Sequence, residues 1–437
     1  MINRSVAPTF KSLETFHLLR PEEIKLDNGI QLFSFNGGEQ ELVRIEWVFN
    51  NIAWKDRVPL LNVALSGMLL EGTTHLSGAE LAEQVDFYGA FLQPEYAFDH
   101  LSLTLYTLNK HIGKLLPLIK DVLQNSIFPE KEFQTYCRNN KQTLSVSLKK
   151  NDFVARRLFN QAIFSSTRYG YSPEIADYDA IERADLQGLY QQQIRPENCL
   201  IFIGGRVDTT VIEAINHEFG QDSWGRNAAD IAKNKVEPYS FDAISTALIY
   251  EPKEASLQSA IRIGTRTIDR KHPDFSYLWI ANTLLGGYFG SRLMSNIRED
   301  KGYTYGIGSG IGTLKHSAFF TIATEVGADV TSATLDEIAK EMKRLREEMV
   351  SVEELEVVKN YLRGTFVGSL ENVFSHVDKF KRLYLADVDV NYYQRHFEII
   401  KKCTPSDVLE TANKYLNDED MAKVVVGKGI SSKKGQG

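Results

Sequence analysis

Apolar positions along this chain switch between a two-residue period and a period of three to four, and each switch predicts a new element. Leu60, Leu61, Ala64, Leu65, Met68 and Leu69 recur at helical spacing up to Gly72. A second helix is expected over 78–88, capped by the Thr74-His75-Leu76-Ser77 run and stopped at Gly89. Further helices are expected over 115–123, 131–150, 154–164 and 184–193. Strand alternation appears over 44–49 (RIEWVF) and 98–106 (FDHLSLTLY), and 198–205 (NCLIFIGG) reads as a buried strand. Asp27-Asn28-Gly29, between short apolar runs, predicts a hairpin turn.

The same programme then repeats. Strands are expected over 259–264, 318–325 and 421–427, and helices over 277–285, 333–349 and 353–365. The helix around Glu132 and Phe133 has its counterpart around Glu354 and Leu355, an offset of 354 − 132 = 222. Gly204 and Gly427, at the ends of two similar apolar strands, differ by 223. Two unrelated pairs agreeing within one residue indicate duplicated domains. The expected fold is α+β, with two duplicated domains, each a mostly antiparallel sheet covered by helices. The expected boundaries are 1–220, a linker over 221–245, a second domain over 246–430, and a disordered tail over 431–437.

Composition narrows the function classes. At 437 residues, two domains are expected rather than one core. A net charge of −7 with no long basic block argues against a nucleic-acid surface. Cys137, Cys199 and Cys403 are scattered and form no CxxC, as incidental thiols in a reducing compartment would be. No run of about 18 apolar residues exists to span a membrane, and residues 1–16 lack the apolar core of a secretion signal. A cytoplasmic protein is expected.

Candidate chemistry concentrates in 285–312. Gly286-Gly287-Tyr288-Phe289 precedes a short helical run in which Leu293, Met294 and Ile297 are the apolar face. Gly302 ends that run as a C-terminal glycine does, and Tyr303, Tyr305 and Ile307 alternate as a strand begins. Arg298 at the helix end and Tyr305 on the strand are thereby set to share one cleft. A buried phenol and guanidinium would need partners in any case, so a structural hydrogen-bond cluster is the competing reading. A phosphate cradle is disfavoured, because the glycines form neither GxGxxG nor GxxxxGK.

The order Gly286, Gly287, Phe289, Ser291, Arg292, Leu293, Arg298, Glu299, Gly302, Tyr305 resembles the pitrilysin/insulinase family of zinc peptidases. Asn28-Gly29, Gly72-Thr73 and Arg195-Pro196-Glu197-Asn198 fit that resemblance, which covers roughly 20–430. Active members carry His-x-x-Glu-His just before a Gly-Thr, two histidines binding zinc and the glutamate serving as base. Here those five positions are Val63-Ala64-Leu65-Ser66-Gly67, so the ligand and base positions hold Val63, Ser66 and Gly67. The family's third ligand falls near Thr143, and between Phe133 and Asn151 there is no Asp or Glu. No two of the nine histidines lie within five residues of each other, so no metal is expected in this chain.

The resemblance implies that Arg298 and Tyr305, seven residues apart, bind substrate backbone and the developing oxyanion across a chamber. Gly286, Gly287 and Phe289 are implied as substrate-binding. Bacterial heterodimers of this family split the site between a zinc subunit and a zinc-less donor of the Arg/Tyr pair. The leading expectation is therefore a non-catalytic subunit, silent alone, with zinc held by a homologous partner; a homodimer stays open. The alternatives are a substrate-recognising subunit of a processing peptidase and a scaffold or peptide-binding protein with no role in proteolysis.

Overall fold

The computed structural model describes residues 15–51, 60–165, 167–221, 224 and 241–428. The expected tail over 431–437 and most of the expected linker over 221–245 lie outside the described residues. The first half runs β1 (Glu22–Lys25), β2 (Gln31–Asn36), β3 (Leu42–Asn50), α1 (Leu61–Met68), α2 (Gly78–Phe87), β4 (Phe91–Tyr96) and β5 (His100–Leu108). It continues with α3 (Ile112–Asn125), α4 (Glu130–Ser147), α5 (Asn151–Phe164), α6 (Asp177–Ala180), α7 (Arg183–Gln193), β6 (Cys199–Gly205) and α8 (Thr209–Ile215). The second half holds β7 (Leu248–Pro252), β8 (Gln258–Thr267), α9 (Phe275–Asn282), β9 (Thr304–Thr313) and β10 (Ala318–Gly327). Helices α10 (Thr331–Glu347), α11 (Val352–Gly368), α12 (Val373–Leu385), α13 (Tyr392–Lys402) and α14 (Pro405–Tyr415) then lead to β11 (Ala422–Gly427).

The two sheets share one topology. The first has strand order β1-β2-β6-β3-β5-β4 and the second β7-β11-β8-β10-β9. Dropping β1 leaves an identical pattern, with one parallel pair (β2·β6, β7·β11) and the remainder antiparallel. The α4 and α11 starts differ by 352 − 130 = 222, and the β6 and β11 ends by 427 − 205 = 222. The offset read from two short matches therefore extends over whole elements.

Local signals explain where the elements begin. Ser77 accepts from the Glu80 N–H while the Glu80 carboxylate accepts from the Ser77 N–H, a capping box that opens α2. Thr404 and Asp407 make the same box at α14, with Pro405 in the first turn. The central strand β3 is buried on both faces. Val43, Ile45, Trp47 and Phe49 face the helices of their own half, while Val48 faces the other way.

That second face is covered by a helix from the other half. Phe33, Phe35, Val48 and Phe202 pack against Val373 and Val377 of α12. Reciprocally, Ala155, Phe159 and Ile163 of α5 pack on Ala260, Ala422, Val424 and Val426 of the second sheet. Each exchange carries charge. Arg44 of β3 grips Asp378 of α12 at 2.6 Å, and Arg262 of β8 grips Asp152 of α5 at 2.6 Å. Lys381 of α12 donates to both oxygens of Glu46, a carboxylate only 2 % exposed.

One buried histidine gives this fold an acid-sensitive point. The His396 ring lies 2.8 Å from the Ser276 hydroxyl, and burial, reinforced by the charge of Arg270, pushes its pKa down to about 4. The unfolded imidazole titrates near ~6.5. Between these values the unfolded chain binds a proton that the folded chain refuses, so stability falls as pH drops through the window. The expected slope is about 1.4 kcal/mol per pH unit. Urea unfolding at pH 7 and pH 5 should show a smaller loss for His396→Gln than for the native chain.

Candidate functional site: Arg298, Phe289 and Tyr305

The candidate site is built by the chain reversal between α9 and β9. Helix α9 runs on through a wide helical turn, Thr283–Gly287, and a second such turn spans Met294–Asp300. Leu293, Met294 and Ile297 anchor the second turn in the core. Gly286 is buried, and a side chain there would meet the Ser309 nitrogen at 2.6 Å, so the reversal needs this glycine. Gly302 takes a φ of +65°, the left-handed geometry that lets the chain leave the helix and start β9.

The Arg298 guanidinium carbon lies 4.8 Å from the Phe289 ring centre and 5.9 Å from that of Tyr305. Phe289 is 64 % exposed and Tyr305 is 94 % exposed. Among the described residues neither Arg298 nor Tyr305 has a hydrogen-bond partner. A buried structural cluster is therefore not what the fold makes here. The two rings hold the cation by its flat faces and leave its N–H groups free.

Tyr305 owes its exposure to a break in the ladder. Ile307 pairs with Thr324 and Thr304 with Val326, so Tyr305 and Gly306 together oppose the single residue Glu325. This is a β-bulge, a device that re-aims a side chain. The Thr304 hydroxyl fixes it, lying 2.7 Å from the Glu325 carbonyl and accepting from the Gly306 N–H at 3.1 Å. The Thr324 hydroxyl, 3.0 Å from the Gly306 carbonyl, adds a second clamp. Of the other expected substrate-binding positions, Gly287 is exposed and Gly286 is buried.

In the first half, α1 carries Val63, Ser66 and Gly67 where the family's ligands and base belong. Val63 packs on the core and Ser66 is 6 % exposed. Beside Gly67 the space is taken by Tyr136 of α4, whose ring carbon Cε2 would lie 2.6 Å from a Cβ at position 67. Burial pushes the Tyr136 phenol upward, so it stays neutral. Thr143 is exposed on α4 and supplies no carboxylate. These residues do not fit zinc. Among the described residues no group of three or more His, Cys, Asp or Glu side chains is placed to hold a metal ion. Restoring the motif by Val63→His, Ser66→Glu and Gly67→His is expected to yield no stoichiometric zinc in metal analysis. The new ring would overlap Tyr136, at an overpacking cost of about 1–3 kcal/mol.

The histidine beside this helix has a different role. His75 Nδ1 pairs with Asp121 Oδ1 at 2.6 Å while the ring stays largely in solvent. It ties the loop after α1 to α3.

Comparison with known proteins gives this geometry a family likeness. Residues 180–362 match the family model described as the peptidase M16 inactive domain. This chain, in which that segment holds Arg298 and Tyr305, thus resembles the peptidase M16 inactive domain there. It is 24 % identical over 322 residues to an uncharacterized zinc protease, YmxG, of Bacillus subtilis, covering 72 % of this chain and 75 % of that protein. A Helicobacter pylori protein named non-peptidase homolog YmxG is 22 % identical over 373 residues, 82 % of either chain. The crystal structure of a peptidase M16 inactive domain from Pseudomonas fluorescens superposes with a TM-score of 0.82 at 18 % identity. That match covers 95 % of this chain and all of the other.

Proposed function

We propose that this chain is the non-catalytic subunit of a zinc-dependent peptidase complex, binding peptide and lending Arg298 and Tyr305 to a homologous zinc-bearing partner. The observation that carries this reading is the bulge at Tyr305. It presents an unpaired phenol and an unpaired guanidinium together at the surface, while the zinc positions on α1 are filled by packing. Such donors stabilise the carbonyl oxygen of a peptide as it gains negative charge. With 94 % of its surface in solvent, Tyr305 contributes little to its own fold, so its exposure is explained by a facing molecule. Gly287 and Phe289 border the same cleft and serve peptide binding, in a cytoplasmic heterodimer or a homodimer.

The test is native purification of the chain with mass spectrometry of its companions and zinc analysis of the complex. A stoichiometric homologue bearing His-x-x-Glu-His, with about one zinc per pair, is expected. A zinc-free homodimer would instead favour the second reading, a peptide-binding or scaffold protein without proteolysis. One relative, the Helicobacter pylori protein named as a non-peptidase homolog, gives that second reading its support.

A further inference from the structure

Away from Tyr305, the two halves enclose a cavity of about 630 Å³ between the β4–β5 turn, the β9–β10 turn and α12. Four fixed cations line it: Arg270, Lys315, Lys381 and Arg382. Two acids, Asp99 and Asp378, share the wall, but both are engaged elsewhere. Asp378 is gripped by Arg44, and Asp99 accepts from the Tyr169 hydroxyl and the Lys315 N–H. Lys381 in turn is neutralised by Glu46.

That leaves Arg270, Lys315 and Arg382 with no acidic partner among the described residues. Arg270 is held in place, donating to the Thr313 hydroxyl and lying 5.8 Å over the Phe275 ring. The charges also crowd one another. Burial, with the nearby charge of Lys381, lowers the pKa of His100 in the same wall, and burial first, then the charge of Arg382, disfavours the charged form of Arg270. Like charges gathered in a concave site without counterions are a standing attraction for an anion. Most of the remaining lining is apolar, with Phe98, Trp279, Leu314 and Leu385 beside the cations. A ligand with an anionic head and an apolar body matches both parts.

We propose that this junction cavity binds the carboxy-terminal end of a peptide, its carboxylate on Arg270, Lys315 and Arg382 and its last apolar side chain against Trp279 and Leu385. Placement favours a peptide over a free ion. Two of the four edge strands, β4 and β9, run toward this cavity, β4 ending at Tyr96 and β9 at Thr313. An extended segment added to either edge by main-chain bonds reaches the cavity with one of its ends. The cation surplus accepts a carboxylate end and repels an ammonium end. This inference deepens the peptide-binding reading above and rests on it, but the site is separate from Arg298 and Tyr305.

The test uses the full chain alone. A fluorescent, amino-terminally labelled pentapeptide ending in free leucine is titrated by anisotropy against its carboxamide twin. Saturable binding is expected for the acid, weakened about tenfold or more in the amide. Arg382→Glu and Lys315→Gln, which remove cations without acidic partners, should weaken the acid peptide by a similar factor at unchanged melting temperature. Equal affinity of acid and amide, or unaltered binding in both variants, overturns the proposal. So does displacement by millimolar acetate as readily as by unlabelled peptide, since that marks a general anion site. Because Tyr305 is untouched, any of these failures leaves the donor role of Arg298 and Tyr305 to be judged by turnover of the complex.

Discussion

Replacing Tyr305 by Phe is expected to lower turnover of the complex with a zinc-bearing homologue about 100-fold, with folding and assembly unchanged. The magnitude follows from the worth of one pre-positioned donor to a developing oxyanion, about 3 kcal/mol. The clean separation from folding follows from structure, because the phenol is 94 % exposed and has no hydrogen-bond partner among the described residues. Arg298→Ala should cost a comparable factor, and the double variant less than the product, since the two donors serve one oxygen. Steady-state turnover of purified complexes, with assembly checked by size exclusion, decides the matter. Full activity in Tyr305→Phe would remove the donor role and leave the scaffold reading.

The largest expected effect on stability lies where the halves interlock. Lys381→Met strips the cation from Glu46 and leaves a carboxylate that is 2 % exposed without its charge partner. Breaking a buried pair from one side costs about 3–5 kcal/mol, because the remaining charge has lost its solvation and its counterion together. Urea unfolding should therefore show a marked fall in midpoint for Lys381→Met. Adding Glu46→Leu should recover most of it, because two apolar side chains of similar volume satisfy each other. A midpoint unchanged in the single variant would mean that the Glu46 carboxylate finds another partner there instead.

Much of the architecture is legible in the apolar period. Helices α4 and α11 announce themselves by their own spacing, and the 222-residue offset by two short matches. Edge strand β4 is harder, because Phe91, Gln93 and Glu95 all face solvent and Pro94 interrupts the run. Strand β7 is short, and none of its residues is fully buried. Helix α14 could have been found from Thr404-Pro405-Ser406-Asp407, since a capping box and a first-turn proline are both written there. The exchange of α5 and α12 leaves no local trace, because a helix pattern tells which face is apolar but not which sheet receives it. At the site, the spacing of Arg298 and Tyr305 is readable from sequence. The bulge that exposes Tyr305 is not, since register belongs to the β9–β10 pair rather than to either strand. The filling of the zinc position by Tyr136 likewise depends on how α4 crosses α1.

The exchange of helices also bears on how the chain is made. When β6 has left the ribosome the first sheet has all its strands, yet Phe33, Phe35 and Phe202 still await α12. The gap from Gly205 to Val373 is 373 − 205 = 168 residues. At about 5–20 residues per second, translation leaves that aromatic face bare for roughly 8–34 s. A nascent chain in that interval is an apolar surface in search of a cover, the kind of species that chaperones bind. The second half inherits the opposite situation, because α5 already exists when β8 and β11 emerge. Synthesis thus closes the two sheets in a fixed order, the older one first, because α12 ends at Leu385 before β11 begins at Ala422.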